Sequence, residues 1–332
     1  MALHRKPATH DVIVIGGGAA GLSAALVLGR ARRRVAVVDG GHPRNAPAAH
    51  MQGFLSRDGM PPLELIAAGR DEVQRYGVEV IEDQVIEVEA LEVQAPEVQA
   101  PERDALEVEP GFALSLLGGN VLTARRMLIA TGAHDELPDI PGARERWGKE
   151  FLHCPYCHGW EVRDQPIGVL ATQNGSVQHA QLVRQWSDDV VFFSHTQAVA
   201  AAERLQLEAR GIRIVDGIVA RFVTEDDRLS GVELEDGRTV PRTAIFIRPL
   251  NVPHADRLLD QLALELDASG FVAVDANGRT STPGIWAGGN VVDPRAQVIA
   301  SAGAGNAAAI AINADLVEED VRNAVRSAGE KD

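Results

Sequence analysis

DVIVIGGGAAGLSAALVLGRARRRVAVVD, residues 11–39, decides the fold. DVIVI is a short continuous apolar run, and VAVV is another that closes on Asp39. Between them lie a glycine turn and a small-residue helix. Continuous apolar strands joined by a helix belong in a parallel sheet covered on both faces. Gly16, Gly18 and Gly21 fit G-x-G-x-x-G at the strand-to-helix turn. The first glycine allows the tight turn, and the second lets backbone approach a pyrophosphate. The third permits close helix–strand packing, while the helix N-terminus adds partial positive charge. Asp39 follows Gly16 by 23 residues, where a carboxylate can accept hydrogen bonds from a ribose. The motif predicts a bound dinucleotide but does not itself separate FAD from NAD.

A second α/β pattern starts near Gln165: PIGVLATQNGSVQHAQLVRQW, then DDVVFFS. Further strands are expected in GIRIVDG, IVARFVTEDDRLSGVELEDG and TVPRTAIFI. Between the two patterns, VEVIEDQVIEVEALEV, FALSLLGG and ARRMLIATGA resemble strands of a meander returning to the first sheet. The near-duplication EVQAPEVQAPE, within residues 91–109, reads as a solvated loop expansion, because its prolines forbid a central strand. From about Leu250 the chain changes again, through TSTPGIWAGGNVVD to the small-residue helix SAGAGNAAAIAINADLV. The expected fold is α/β, with two Rossmann-like domains of the three-layer β-β-α type. The first would comprise residues 1–135 and 249–332, and the second, 136–248, would be inserted into it.

Bulk properties agree with this outline. A chain of 332 residues suits two domains, and 45% hydrophobic with 24% charged residues is an ordinary globular balance. A formal net charge of −15 excludes a broad nucleic-acid interface and disfavours an anionic membrane surface. The basic cluster of Arg30, Arg32, Arg33 and Arg34 reads as a solvated helix end first and an anion site only second. No apolar run has the length of a membrane span, and MALHRKPATH lacks the apolar region of a signal peptide. The expected location is the cytoplasm.

Both cysteines of the chain fall in HCPYCHGWE, residues 153–161. A lone CxxC reads as a redox pair or a metal site. Zinc needs four ligands, and no second CxxC or paired His spacing accompanies this one, so no metal is expected. A redox pair needs one thiolate to attack a substrate sulfur and another to exchange electrons with a cofactor.

LIATGA (128–133) and TPGIWAGGNVVD (282–293) resemble the remaining fingerprints of the FAD-dependent pyridine nucleotide-disulfide oxidoreductases. With CPYC between them, nearly the whole chain resembles the low-molecular-weight thioredoxin reductases. The resemblance implies a homodimer and FAD bound along three segments. The first supplies Gly16, Gly18, Ala19, Ala20, Gly21, Asp39, Gly40, Arg44 and Asn45. The second supplies Thr131 and Gly132, and the third Gly289, Asn290, Gln297 and Val298. It implies Cys154 as the outer interchange thiol and Cys157 as the inner one beside the flavin. His50 and His134 are read as ordinary polar residues.

Three departures from that family matter. Asn290 stands where an Asp usually bonds the flavin ribityl chain, and an amide can still hydrogen-bond a hydroxyl. His158 stands where an Asp usually follows the second cysteine. An imidazole titrates near neutrality and can deprotonate an incoming thiol. CPYCHGWE with this histidine resembles the dithiol oxidases of gliotoxin- and holomycin-type pathways. Finally, the inserted domain reads ATQNGS at 171–176 and SHT at 194–196, where the family has GGGDSA and HRR. Ala171 and Gln173 replace glycines, and His195 and Thr196 replace the arginines that hold the NADPH 2′-phosphate. The expectation is an FAD-dependent dithiol oxidase with catalytic Cys154, Cys157 and His158, a dithiol or disulfide substrate and O2 as acceptor. The alternatives are a disulfide reductase fed by NADPH or another donor, and a slow redox-sensing flavoprotein.

Overall fold

The computed structural model describes residues 9–91, 111–254 and 256–329; EVQAPEVQAPE lies outside them. The chain divides into two units: Met1–Pro43, Leu63–Ala133 and Pro253–Asp332 form the first, and Arg44–Pro62 with His134–Val252 form the second.

In the first unit, β1 (His10–Ile15) leads through α1 (Ala19–Arg30) to β2 (Val35–Asp39). After α2 (Pro62–Gln74) come β3 (Glu79–Glu82), β4 (Val85–Leu91), β5 (Gly111–Leu116) and β6 (Val121–Ile129). Strand order is β3-β2-β1-β6-β5-β4. β1 is buried on both faces because it separates two clusters. Val12 and Val14 join one with α1 and the C-terminal helix, and Ile13 and Ile15 join another with Phe112 and Leu114 of β5. β6 links the two layers. Its first half pairs antiparallel with β5, while Met127–Ile129 pair in parallel with the short strand Ile285–Ala287.

One expectation is corrected. VEVIE does not open the meander, because β3 pairs in parallel with β2, Ala36 to Asp39 facing Glu79 to Glu82. The helical crossover through α2 returns the chain in the same direction, which a hairpin cannot do. The C-terminal helix Val298–Gly329 lies against α1, so closely that a Cβ on Gly305 would stand 1.9 Å from the Ala20 carbonyl oxygen. Only glycine fits there.

The second unit runs β7 (Ala133–Glu136), α3 (Ala143–Arg146), β8 (Phe151–Leu152), α4 (Pro155–His158) and β9 (Ile167–Leu170). Next are α5 (Ser176–Val183), β10 (Val190–Phe193), α6 (Ala201–Ala209) and β11 (Arg213–Val215). A three-stranded antiparallel sheet follows: β12 (Val219–Glu225), β13 (Arg228–Leu234) and β14 (Thr239–Pro241). β15 (Ala244–Ile247) returns to the parallel sheet, and β16 (Leu250–Pro253) pairs with β7. The parallel sheet has the order β11-β10-β9-β15-β8. Every residue of β9, β10 and β15 is buried, as a doubly covered parallel sheet requires. Residues 44–62, expected with the first domain, group with this unit. Arg44 pairs with Asp135 at 2.5 Å, and Gly148 lies where a Cβ would meet the Pro47 carbonyl oxygen at 2.7 Å.

Candidate active site

The cysteine pair sits at one edge of the second unit's sheet. β8 pairs with β15, Phe151 and Leu152 facing Ile245 and Phe246, and delivers the chain to Cys154. Cys154 keeps extended backbone angles and caps α4. Pro155 occupies the first helical position, where its missing N–H costs no bond. The Cys154 carbonyl then accepts hydrogen bonds from the amides of Cys157 and His158, both at 3.1 Å. This turn brings the two Cα atoms to 5.2 Å, and Cys154 and Cys157 are joined in a disulfide. Gly159 closes the turn. A Cβ there would lie 2.7 Å from the Trp186 ring, so glycine lets Trp186 pack beneath the pair.

His158 lies on the same turn. Both of its ring nitrogens are shielded from solvent and neither meets hydrogen-bond geometry with a described residue. Burial pushes its pKa below the ordinary histidine range, more than Glu161 and the nearby Cys154 carbonyl raise it. The ring is therefore neutral near pH 7 and able to accept a proton. His153 is likewise depressed, by burial first, with Asp135 opposing and Arg44, Arg248 and His158 reinforcing the shift. His179, one turn into α5, is pushed down to about 3 by burial, with His153 and Arg248 adding to it. Among the described residues no cluster of three or more His, Cys, Asp or Glu is placed to hold a metal. His50 bonds the Gly59 carbonyl. His134 lines a cavity of about 550 Å³ with Pro47, Asp135, Glu136, Leu137, Arg144 and Trp147.

In the first unit the motif residues gather by register. Ile15 faces Val38 and Ile129, and Ile129 faces Ala287. Gly16, Asp39, Thr131, Gly132 and Gly289 therefore lie at or just beyond the carboxyl ends of adjacent parallel strands, where open α/β sheets bind ligands. Gly16 has φ +107°, and a Cβ on it would stand 2.3 Å from the Ala130 carbonyl oxygen. A Cβ on Gly21 would stand 1.9 Å from the Gly16 carbonyl oxygen. Gly18 differs: a Cβ there would meet nothing within 4 Å, and it caps α1 without any side-chain bond. Closed turns at Gly16 and Gly21 beside open space at Gly18 form a cradle that fits a pyrophosphate at the helix N-terminus.

Ala19 and Ala20 begin α1, and a Cβ on Gly289 would stand 2.9 Å from the Ala20 Cβ. Gly40 follows Asp39 directly. Thr131 Oγ1 donates to the His254 carbonyl at 3.2 Å, and the Gly132 carbonyl accepts from the His254 amide. Asn290 donates from its amide to the carbonyls of Asp293 and Ala296, both at 2.9 Å, which leaves its oxygen as an acceptor. The Gln297 carbonyl accepts from the Ser301 amide, and Val298 opens the C-terminal helix. Arg44 and Asn45 fall in the second unit, Arg44 paired with Asp135.

Two residues of the cradle escaped sequence reading. Gly17 permits the Asp39 carboxylate to come against the turn, since a Cβ there would stand 2.6 Å from Oδ2. Its signal was the unbroken GGG run. Arg70 on α2 bonds the same Oδ2 at 2.6 Å and also reaches Glu82. Nothing local in the sequence announces it.

The corresponding turn of the second unit is built differently. Gln173 Nε2 donates to the carbonyls of Arg248 and Pro249 at 2.9 and 2.8 Å, and Thr172 Oγ1 donates to the Arg248 carbonyl at 2.9 Å. The Arg248 guanidinium lies over Gly175, where Nη1 would be 2.0 Å from a Cβ. His195 Nδ1 accepts from the Val219 amide at 3.0 Å. Side chains of Thr172 and Gln173 thus bond the backbone that follows β15, and Arg248 lies beside Gly175.

A doubly wound fold of this kind, with a dinucleotide cradle in one unit and a CxxC disulfide in the other, defines a thioredoxin reductase-like disulfide oxidoreductase. The model of the pyridine nucleotide-disulphide oxidoreductase family matches residues 10–309, and the chain belongs to that family. The chain is 55% identical to a protein whose structure is described as the crystal structure of HlmI, with 97% of this chain and 96% of that one covered and a TM-score of 0.90. A putative thioredoxin reductase TrxB from Bacillus anthracis is 32% identical, with 94% and 99% covered and a TM-score of 0.84. Thioredoxin reductase sirT of Leptosphaeria maculans is 28% identical over 335 residues, covering 95% of this chain and 97% of its own. The family is one of FAD-dependent flavoproteins, and this chain is related to its gliotoxin- and holomycin-type branch. No described helix is long and apolar enough to cross a membrane.

Proposed function

We propose that this protein is an FAD-dependent dithiol oxidase that closes a disulfide in its substrate, with O2 as final acceptor. The observation that carries the reading is the β9–α5 turn. Gln173 and Arg248 fill the place where backbone would have to meet a pyridine nucleotide's pyrophosphate. His195 and Thr196 offer no cationic fork for a 2′-phosphate. Electrons then enter from the thiol side.

The residues proposed to hold FAD are those of the three fingerprint segments, with Gly18 facing the pyrophosphate and Asp39 the ribose. When bound, FAD supplies the two-electron acceptor that drains the reduced cysteine pair and is reoxidised by O2, which leaves as H2O2. The protein's own part is thiol exchange. A substrate thiolate attacks the Cys154 sulfur, the Cys154–Cys157 bond breaks, and Cys157 leaves as a thiolate. Neutral His158 takes the proton of the second substrate thiol. That sulfur attacks the substrate sulfur of the mixed disulfide, the substrate disulfide forms, and Cys154 departs with the electron pair. Two electrons have moved from dithiol to cysteine pair. The net reaction, dithiol plus O2 giving disulfide plus H2O2, runs downhill because O2 is a far stronger oxidant than a dithiol couple.

A reductase reading is favoured by the relatives, several of which are named thioredoxin reductases. One experiment separates the two. Under anaerobic conditions, NADPH should leave the flavin band of the purified protein unbleached, whereas dithiothreitol should bleach it. Rapid bleaching by NADPH would sink the oxidase reading. In air, O2 uptake with dithiothreitol should yield equimolar H2O2 and vanish in Cys154→Ser and Cys157→Ser. A cytoplasmic location and a homodimer belong to the same proposal. The only two cysteines form the redox pair, which suits a reducing compartment.

A further inference from the structure

Asp39, the last residue of β2, uses its two carboxylate oxygens differently. Oδ2 accepts from Arg70 Nη2 at 2.6 Å and lies against Gly17, where a Cβ would stand 2.6 Å away. Oδ1 accepts no hydrogen bond from any described residue. Arg70 spreads its guanidinium over a second carboxylate, because Nη1 donates to Glu82 Oε1 at 2.6 Å. Glu82 is the residue that faces Asp39 across the β2–β3 ladder. The fork therefore bridges two facing strand ends. The side chain of Asp39 is 14% exposed and that of Glu82 75%, so the bond to Asp39 is the one shielded from water.

The approach of Arg70 is built by α2. Its neighbour Gly69 lies against α1, where a Cβ would stand 3.0 Å from Leu22 Cδ1. Arg70 Nε is buried and meets no hydrogen-bond partner among the described residues. An unpaired buried donor is costly, so helix packing alone does not account for an arginine here. What the position gains is the pair of charge-assisted bonds from Nη1 and Nη2, whose directions the planar fork fixes. Asp39 also stands beside the glycine cradle. A pyrophosphate in that cradle repels a lone carboxylate, and a guanidinium paired with the carboxylate offsets the repulsion.

We propose that Arg70 is a positioning residue for the adenosine ribose of FAD. It turns Asp39 so that Oδ1 faces the ribose diol, and it supplies the charge that lets a carboxylate stand beside the pyrophosphate. This inference rests on the placement of FAD in the first unit proposed above. With both Nη groups on carboxylates, the fork is not offered to a phosphate, so the site takes a ribose with free hydroxyls.

The test is a double-mutant cycle read as the Kd of FAD, by dilution of the holoprotein and fluorescence of the released flavin. Asp39→Asn and Arg70→Gln should each raise Kd about tenfold. The double variant should stay within twofold of Asp39→Asn, because no carboxylate is left to position. Arg70→Lys keeps the charge without the fork and should lie between wild type and Arg70→Gln. Two results overturn the role of Arg70: a Kd within twofold of wild type in Arg70→Gln, or a full tenfold increase on top of Asp39→Asn. The second would mean that Arg70 serves only to dock α2. An unchanged Kd in Asp39→Asn would instead overturn the ribose placement, and the inference with it. If circular dichroism shows that Arg70→Gln does not fold, Arg70→Lys and its double with Asp39→Asn run the same cycle under the same two criteria.

Discussion

The side-chain amide of Gln173 donates to the carbonyl oxygen of Arg248 at 2.9 Å, and the guanidinium of that same Arg248 lies over Gly175 at the start of α5. One residue pair thus ties the β9–α5 turn to the exit of β15 and sets the Arg248 guanidinium beside Gly175. Gln173→Ala removes two hydrogen bonds, each worth about 1 kcal/mol net. The melting temperature should fall by roughly 2–6 °C, read by scanning calorimetry. NADPH should still fail to bleach the flavin, because His195 and Thr196 remain. Bleaching by NADPH in this single variant would make Gln173 the whole barrier and contradict the two-part account.

His158 should carry the acid limb of thiol oxidation. Its neutral form accepts the thiol proton, and burial holds its pKa below 6.5. Activity should therefore rise with pH through a midpoint below 6.5 and level off above it. His158→Asn should lower kcat/KM for dithiothreitol about 10²–10⁴-fold and abolish that limb. Steady-state O2 uptake between pH 5 and 8 reads both. A variant that loses rate but keeps the limb would assign the proton to another group.

Legibility in the sequence followed how local each signal is. The β1–α1–β2 unit was readable because apolar runs, glycine spacing and Asp39 all lie within one supersecondary element. The same holds for CPYC, whose four-residue turn is set by its own proline. Arg70 lies on a helix 31 residues from Asp39, and only the parallel pairing of β2 with β3 brings α2 into reach. The misplacement of VEVIE has a related cause. Alternating strands look alike whether they enter a parallel or an antiparallel ladder, and the preceding crossover helix decides. Residues 44–62 follow β2 directly in sequence, whereas the Arg44–Asp135 pair within the second unit spans 91 residues. Loss of the glycines at 171 and 173 was visible in the sequence, but Arg248 as the side chain over Gly175 was not.

Neutral buried histidines should make the second unit acid-sensitive. His179 has a folded pKa of about 3 against 6.5 when unfolded, and His153 and His158 are depressed in the same direction. Below pH 6.5 the unfolded chain binds protons that the folded one refuses, so stability is full above that pH and falls as pH drops towards 3. The melting temperature should decline steadily from pH 7 to pH 5. His179→Phe, which keeps a ring beside Phe246, should flatten this slope. An unchanged slope would mean that His179 titrates in the folded protein too.

Arg126, 2% exposed in β6, pairs with Glu319 at 2.6 Å and Asp315 at 2.9 Å, both on the C-terminal helix. Arg125 reaches Glu319 as well, at 2.6 Å. Burying these charges is tolerable only while they remain paired; Glu319→Ala leaves Arg126 with Asp315 alone, so it should cost about 1–3 kcal/mol. Because Gly305 and Ala20 hold the other end of the helix by close backbone contact, the loss should be local. Hydrogen exchange should accelerate in amides around 312–325 and change little in α1. In Arg126→Met/Glu319→Leu, two apolar side chains replace the pair, and much of the protection should return, since Arg125 keeps Asp320 and Asp315 keeps Arg279. If the double variant exchanges as fast as Glu319→Ala, the ion pair itself, and not the avoidance of a buried arginine short of one partner, anchors the helix.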